Sequence, residues 1–237
     1  MKNLNHLRNN VYSQEGEDGI VDYLCSTLDL KKGWCVEFGA WDGKHLSNTR
    51  ALITEKQWSA VLVEGDPVRF RSLKDQYHGD KDVYVVCAFV GYAAEDPNTL
   101  DRLLESTPIP KRFELLSIDV DGNDYFIWKA LTNYSPAIVI IEANSSFDVN
   151  VNFVGEPNSG QGASAAALVE LARRKGYQLV AHTGNCIFVK DELYPLIGLY
   201  DNQLKNLFDR RWIDNRTVSG LVKRALHFLS IMKAKLF

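Results

Sequence analysis

Two acids and two glycines in the first third of the chain have the types and spacing to hold a nucleoside-like ligand. In the run Val36-Glu37-Phe38-Gly39-Ala40-Trp41-Asp42-Gly43, Gly39 and Gly43 build a turn that lets backbone approach a ligand closely. Glu37, just ahead of that turn, can accept hydrogen bonds from a cationic amine or a hydroxyl. A pyrophosphate-cradling loop reads G-x-G-x-x-G and avoids a carboxylate beside the phosphates, whereas this run reads E-x-G-x-x-x-G. The acid suits a ligand bearing positive charge, such as the sulfonium and amino groups of S-adenosylmethionine. Glu64, about twenty residues past the turn, stands where an acid takes both hydroxyls of a ribose; its bland alternative is a solvated strand-end carboxylate. Asp42 is a further cofactor-binding candidate that could equally cap the next helix.

A second concentration of chemistry is acidic. The runs Asp119-Val120-Asp121-Gly122-Asn123-Asp124 and Glu142-Ala143-Asn144 each follow an apolar stretch, and crowding their carboxylates is costly without a cation or a shared proton. Hard oxygen ligands of this kind suit Mg²⁺, which would lower the pKa of a bound hydroxyl, so Asp119, Asp121, Glu142 and Asn144 form a candidate metal set. Without a metal, Asp119 or Asp121 becomes the candidate base, and Asp119 also counts among the cofactor-binding candidates. A calcium loop is excluded, because Asp124 and Ala130 stand where that loop needs glycine and glutamate. His182, ahead of Thr183-Gly184-Asn185, is an alternative general base; the competing reading is a histidine hydrogen-bonded at a turn.

Positioning these groups requires a sheet whose strands end together. The runs Gly33 to Phe38, Ser59 to Glu64, Val83 to Val90, Leu115 to Val120 and Ala137 to Glu142 are near-continuously apolar, as strands covered on both faces must be, and helical patterns lie between them. Asp66 and Pro67 mark a helix start, and a helix from about Ser164 with Ala167, Leu168 and Leu171 on one face should close at Gly176. Tyr177 to His182 and Cys186 to Val189 are joined too tightly for a parallel crossover and predict an antiparallel hairpin. The segment from Ser145 to Gly162 is long and polar, and is expected to wall or cover a pocket unless it is a disordered surface loop. Trp41, Tyr125 and Trp128 read as packing residues.

At 237 residues with 46% hydrophobic content, one α/β domain can bury a full core without metal or disulfide support. We expect residues 1–200 to form it, with a helical cap over 1–30, and residues 201–237 to form a tail. A net charge of -3 and a pI near 6.0 disfavour nucleic acid as partner. Cys25, Cys35, Cys87 and Cys186 lack paired spacing and read as reduced core residues, and the N-terminus carries no apolar leader, so a cytoplasmic location is expected. Residues 218–237 alternate apolar and basic side chains as a basic amphipathic helix would; docking on the domain or on a second copy in a homo-oligomer competes with peripheral contact at the inner membrane face.

The blocks YSQEGEDGI, VEFGAWDGKHLSNT, VLVEGDP, SIDVDGNDYFIW, IVIIEAN and QGAS followed by KGYQLV, spread over residues from about 11 to 190, together resemble the FkbM-like class I methyltransferases. That resemblance implies a Rossmann-like, mostly parallel seven-stranded sheet of order 3-2-1-4-5-7-6 with helices on both faces. It also implies S-adenosylmethionine-dependent O-methylation of a small-molecule hydroxyl, often on a sugar or nucleotide-linked sugar. By the same resemblance, Ser13 and Gln14, and Ser47 with Asn48 and Thr49, would close over the methionine end of the cofactor. The plain alternatives are an N-cap for Ser13 and exposed helix surface for Asn48 and Thr49. A nucleotide-dependent oxidoreductase would need a glycine triplet the chain lacks, and a non-catalytic scaffold would be expected to have lost acids that are all present.

Overall fold

A computed structural model describes residues 3–198 and 201–209. The expected basic amphipathic helix over 218–237 lies outside the described residues. Seven strands, β1 (Trp34–Phe38), β2 (Ser59–Glu64), β3 (Val83–Cys87), β4 (Arg112–Ile118), β5 (Ser135–Glu142), β6 (Tyr177–His182) and β7 (Asn185–Lys190), form one sheet in the order β3-β2-β1-β4-β5-β7-β6. The first five run parallel, and β7 pairs antiparallel with both β5 and β6, as the tight connection before Asn185 demands. This is the Rossmann-like methyltransferase topology.

Side chains alternate along each strand, and both faces are covered. Val36, Phe38, Val63, Leu116, Ile118 and Ile141 pack on one face against α4 (Leu100–Glu105), α5 (Asp124–Ala130) and α6 (Ala165–Lys175) through Leu104, Trp128, Leu168 and Leu171. Cys35, Leu62, Leu115 and Ile140 pack on the other against α1 (Glu17–Thr27), α2 (Arg50–Thr54) and α3 (Pro67–Gln76) through Ile20, Leu24, Leu52 and Leu73. Each such fully buried leucine contributes about 1.5–3 kcal/mol of transfer free energy. Trp128 is fully buried, its ring 5.3 Å from that of Phe188, and serves packing as expected.

Helix ends fix where strands stop. Asp66 accepts hydrogen bonds from the Val68 and Arg69 amides with Pro67 in the first turn, and Ser164 accepts from the Ala167 amide. Gly176 closes α6 at φ 79°, in the left-handed region. Two strand ends differ from expectation. β3 stops at Cys87 rather than Val90, and its exposed Cys87 is not a core residue; the other three cysteines are buried, and all four are free thiols. β4 stops at Ile118 rather than Val120 because the Asp124 carboxylate takes the Val120 and Gly122 amides, at 2.9 and 3.0 Å, and draws the chain off the sheet.

Residues 201–209, the start of the expected tail, lie on the domain. Past α7 (Tyr194–Ile197), the short α8 (Leu204–Leu207) buries Leu207 against β6, Phe208 stacks on the His182 ring at 4.4 Å, and Asp209 pairs with Arg8 at 2.7 Å. Among the described residues no helix is long and apolar enough to cross a membrane.

Candidate active site

The parallel strands place the carboxyl ends of β1, β2, β4 and β5 along one edge, and two connected cavities open there. The larger, about 820 Å³, lies over β1, β2 and the turn after β3; the smaller, about 260 Å³, lies over β4, β5 and the β6–β7 turn. Gln14, Asp119, Asp121 and Glu142 line both, so the two meet at the acids.

In the larger cavity the β1 turn packs directly on the residue that follows β4. A Cβ on Gly39 would meet the Asp119 carbonyl oxygen at 1.7 Å, and φ there is 76°, so glycine is required on both counts. Glu64 is buried, with one carboxylate oxygen accepting from the Trp41 amide and the other from the Asp66 amide, each at 2.8 Å. It ties the β1 and β2 turns together, and each oxygen keeps an acceptor site toward the cavity it lines.

Glu37 is buried and lines the larger cavity, and protein donors take most of its acceptor sites. Its carboxylate accepts from the Ser47 hydroxyl at 2.6 Å, the Thr49 hydroxyl at 2.7 Å and the Asn48 amide at 2.8 Å. Burial raises its pKa, and these bonds oppose that rise. Glu37 thus anchors the Ser47–Thr49 segment. Asn48 and Thr49 are buried rather than exposed; Asn48 lines the cavity and donates to the Ser117 hydroxyl at 3.1 Å, whereas Thr49 does not reach it.

Three further candidates stand off the cavity. Asp42 accepts from the Lys44 and His45 amides and the His45 ring; although burial works the other way, these bonds hold its pKa low, and it stabilises a turn. Gly43, at φ 68°, abuts Tyr77 and Leu73 instead of a ligand, and its carbonyl accepts from the Tyr77 hydroxyl. Ser13 exchanges hydrogen bonds with Asp18 ahead of α1, whose N-cap is Gly16 and not Ser13, while its neighbour Gln14 lines both cavities.

Phe89, Arg69 and Tyr92, which pattern reasoning passed over, also line the larger cavity, as does Trp41, read from sequence as a packing residue. Phe89 is 75% exposed, two residues past β3 and against Gly65, and the Arg69 guanidinium sits 5.2 Å from the Trp41 ring centre. An aromatic just beyond a strand end, beside a glycine that follows a strand-end acid, was the available signal.

At the junction, carboxylate oxygens of Asp119, Asp121 and Glu142 lie within 4.8 Å of one another. Glu142 lines both cavities and keeps solvent contact at the end of β5, and its pKa is raised, first by desolvation and then by Asp119, Asp124 and Asp121. Asp124, buried behind them, is pushed up to about 6 by desolvation. Asn144 is taken out of the expected metal set by its bonds: its carbonyl oxygen accepts from the Ser146 amide and hydroxyl, and its amide nitrogen donates to the Gln161 carbonyl. The loop over 145–162 walls the cavities; its Asn158 exchanges two hydrogen bonds with Asn123, at 2.8 and 2.9 Å.

His182 does not face either cavity. Its Nδ1 accepts the Asp209 amide at 3.1 Å, its Nε2 lies 3.0 Å from the Ser145 hydroxyl, and burial pulls its pKa down to about 4. A ring with no open lone pair cannot take a substrate proton, so the general-base role does not fit.

The sequence matches no protein-family model and no curated protein. Solved structures with a similar fold include a provisionally named caffeoyl-CoA O-methyltransferase from Staphylococcus aureus, 17% identical over 76% of this chain and 85% of its own, with a TM-score of 0.49. M. capricolum TrmK, solved with S-adenosylhomocysteine, is 11% identical over 89% of this chain and 84% of its own, with a TM-score of 0.45. The N-terminal domain of EvdMO1, solved with S-adenosylhomocysteine and D-fucose, is 15% identical over 74% and 82%, with a TM-score of 0.45. These are distant likenesses, and the chemistry of this site has to come from its own residues.

Proposed function

We propose that the chain is an S-adenosylmethionine-dependent O-methyltransferase of the FkbM-like kind, acting on a hydroxyl of a small carbohydrate. The observation that carries this reading is the Glu64 carboxylate, pinned by two backbone amides and presenting its remaining acceptor sites to a cavity that continues into a second, acid-walled one. The residues present fit a nucleoside with a cationic end. Glu64 offers paired acceptors to ribose hydroxyls, Phe89 and Gly65 offer a flat apolar surface for a base, and Asp119 supplies negative charge beyond the glycine turn. Bound S-adenosylmethionine supplies an electrophilic methyl group.

The chain's own part is to hold the acceptor hydroxyl at the junction and take its proton. Glu142, whose pKa desolvation and the neighbouring acids raise, lines both cavities at the junction and is the proposed base. The same three carboxylates would hold Mg²⁺, which would polarise the hydroxyl. Titration calorimetry with S-adenosylhomocysteine tests the reading, because absence of binding sinks it. Release of S-adenosylhomocysteine on incubating S-adenosylmethionine with a panel of free and nucleotide-linked sugars then tests turnover.

A further inference from the structure

Ser145 lines the smaller cavity and is buried, with every hydrogen-bonding role of its hydroxyl but one already assigned. The assignment starts some 60 residues away in sequence. The Asp209 amide must donate, so Nδ1 of His182 is the accepting nitrogen and the ring proton sits on Nε2. That proton points at Ser145 Oγ, 3.0 Å away. The serine proton in turn goes to the carbonyl oxygen of Ala143 or Gly184, both at 3.2 Å. A hydroxyl that could donate or accept is thereby fixed, and one lone pair remains for the cavity.

Apart from the Gln14 and Gln161 amides, the surrounding side chains have the same polarity. Glu15, Asp119, Asp121 and Glu142 present carboxylates, and Asn185, whose amide nitrogen donates to Glu17 at 3.1 Å, keeps its carbonyl oxygen. No lysine, arginine or histidine side chain is among the described lining residues, and no aromatic or large aliphatic one. At about 260 Å³ the cavity is below the roughly 300 Å³ at which pockets for drug-sized ligands begin, so it suits one ring rather than a nucleotide.

We propose that Ser145 is a specificity-determining residue, locked by the relay from Asp209 through His182 as a hydrogen-bond acceptor, and that the molecule methylated is a compact polyol or amino-polyol without a phosphate. The proposal rests on the methyltransferase reading for which cavity takes the acceptor, and narrows it by excluding nucleotide-linked sugars. With no Mg²⁺ on the junction acids, a phosphate would bring further negative charge to a wall with no described basic side chain, whereas hydroxyls and an ammonium group bring donors to its carboxylates.

Glucose, glucosamine and glucose 6-phosphate differ mainly in charge, and calorimetry of each against the full chain, with and without saturating S-adenosylhomocysteine, reads the preference. We expect glucosamine to bind at least as tightly as glucose and glucose 6-phosphate most weakly. Ser145→Ala should weaken both phosphate-free sugars about fivefold to tenfold and leave S-adenosylhomocysteine affinity unchanged. His182→Leu should behave like Ser145→Ala, whereas His182→Gln, which keeps a donor toward Oγ, should restore most of the affinity. Tighter binding of glucose 6-phosphate, no binding of either phosphate-free sugar, or unchanged sugar affinity in Ser145→Ala overturns the proposal. Failure of S-adenosylhomocysteine alone to bind overturns the donor-site reading instead.

Discussion

Replacing Glu64 by alanine should separate what this carboxylate does for a ligand from what it does for the fold. Each of its oxygens accepts one backbone amide at 2.8 Å and retains one acceptor site for a ribose hydroxyl. Hydrogen bonds to a charged acceptor contribute about 1.5–3 kcal/mol each, and the lower figure applies because the cavity is open to water. Two lost bonds therefore cost about 3 kcal/mol, or roughly 150-fold in Kd for S-adenosylhomocysteine. Glu64→Gln, which keeps one acceptor oxygen, should fall between variant and parent. The discriminating assay is calorimetry with adenine alone, which lacks the hydroxyls: Glu64→Ala should leave adenine affinity within about twofold. If adenine weakens as much as S-adenosylhomocysteine, the loss comes from collapse of the Trp41 and Asp66 turns, and the ribose assignment is wrong.

Gly39→Ala should destabilise the fold by more than about 3 kcal/mol in urea denaturation, since its Cβ would sit 1.7 Å from a backbone oxygen that cannot retreat. Gly79→Ala, at φ 83° with nothing within 4 Å, isolates the conformational strain and should cost about 1 kcal/mol; equal losses would refute the contact argument. Chelation of divalent ions should lower turnover and added Mg²⁺ restore it if Asp119, Asp121 and Glu142 act through a metal; turnover indifferent to chelator leaves a carboxylate as base. Asp124, raised from 3.8 to about 6, binds its proton more tightly in the folded than in the unfolded chain. Its contribution to stability is therefore present at acid pH and lost as pH rises through about 6. In chelator, Asp124→Asn should gain on the parent by up to about 3 kcal/mol between pH 4 and pH 7, and a constant difference between them would refute the assignment.

Apolar run length made β1, β2 and β5 legible, and the short turn before Asn185 made the hairpin legible, because both are local constraints on backbone pairing. The end of β4 was not, since Asp124 is a side chain that competes with the sheet for the Val120 and Gly122 amides, and in sequence it looks the same as a ligand or a cap. The misreading of His182 has a different origin. A hairpin-rim histidine is normally solvent-facing; here Phe208 covers it and the Asp209 amide occupies Nδ1, and neither contact has any local signature. The plain alternative for Asn48 and Thr49, exposed helix surface, fails for the same reason, because their burial depends on Glu37 reaching them from the strand.

The two acids of the nucleoside site both line the larger cavity but take different numbers of protein donors, three for Glu37 and two for Glu64. Glu64 is the last residue of β2, so the only backbone amides near it are those of the two turns, and half of its acceptor sites remain for a ligand. Glu37 is followed by Phe38 before β1 ends, and although it too lines the cavity, burial raises its pKa. A carboxylate there must be satisfied by protein. It recruits Ser47, Asn48 and Thr49, three donors on consecutive residues, and the chain that supplies them becomes a cavity wall through Ser47 and Asn48. The serine-asparagine-threonine run is thus required by the burial of Glu37, and Glu37 shapes the ligand site through the loop it holds.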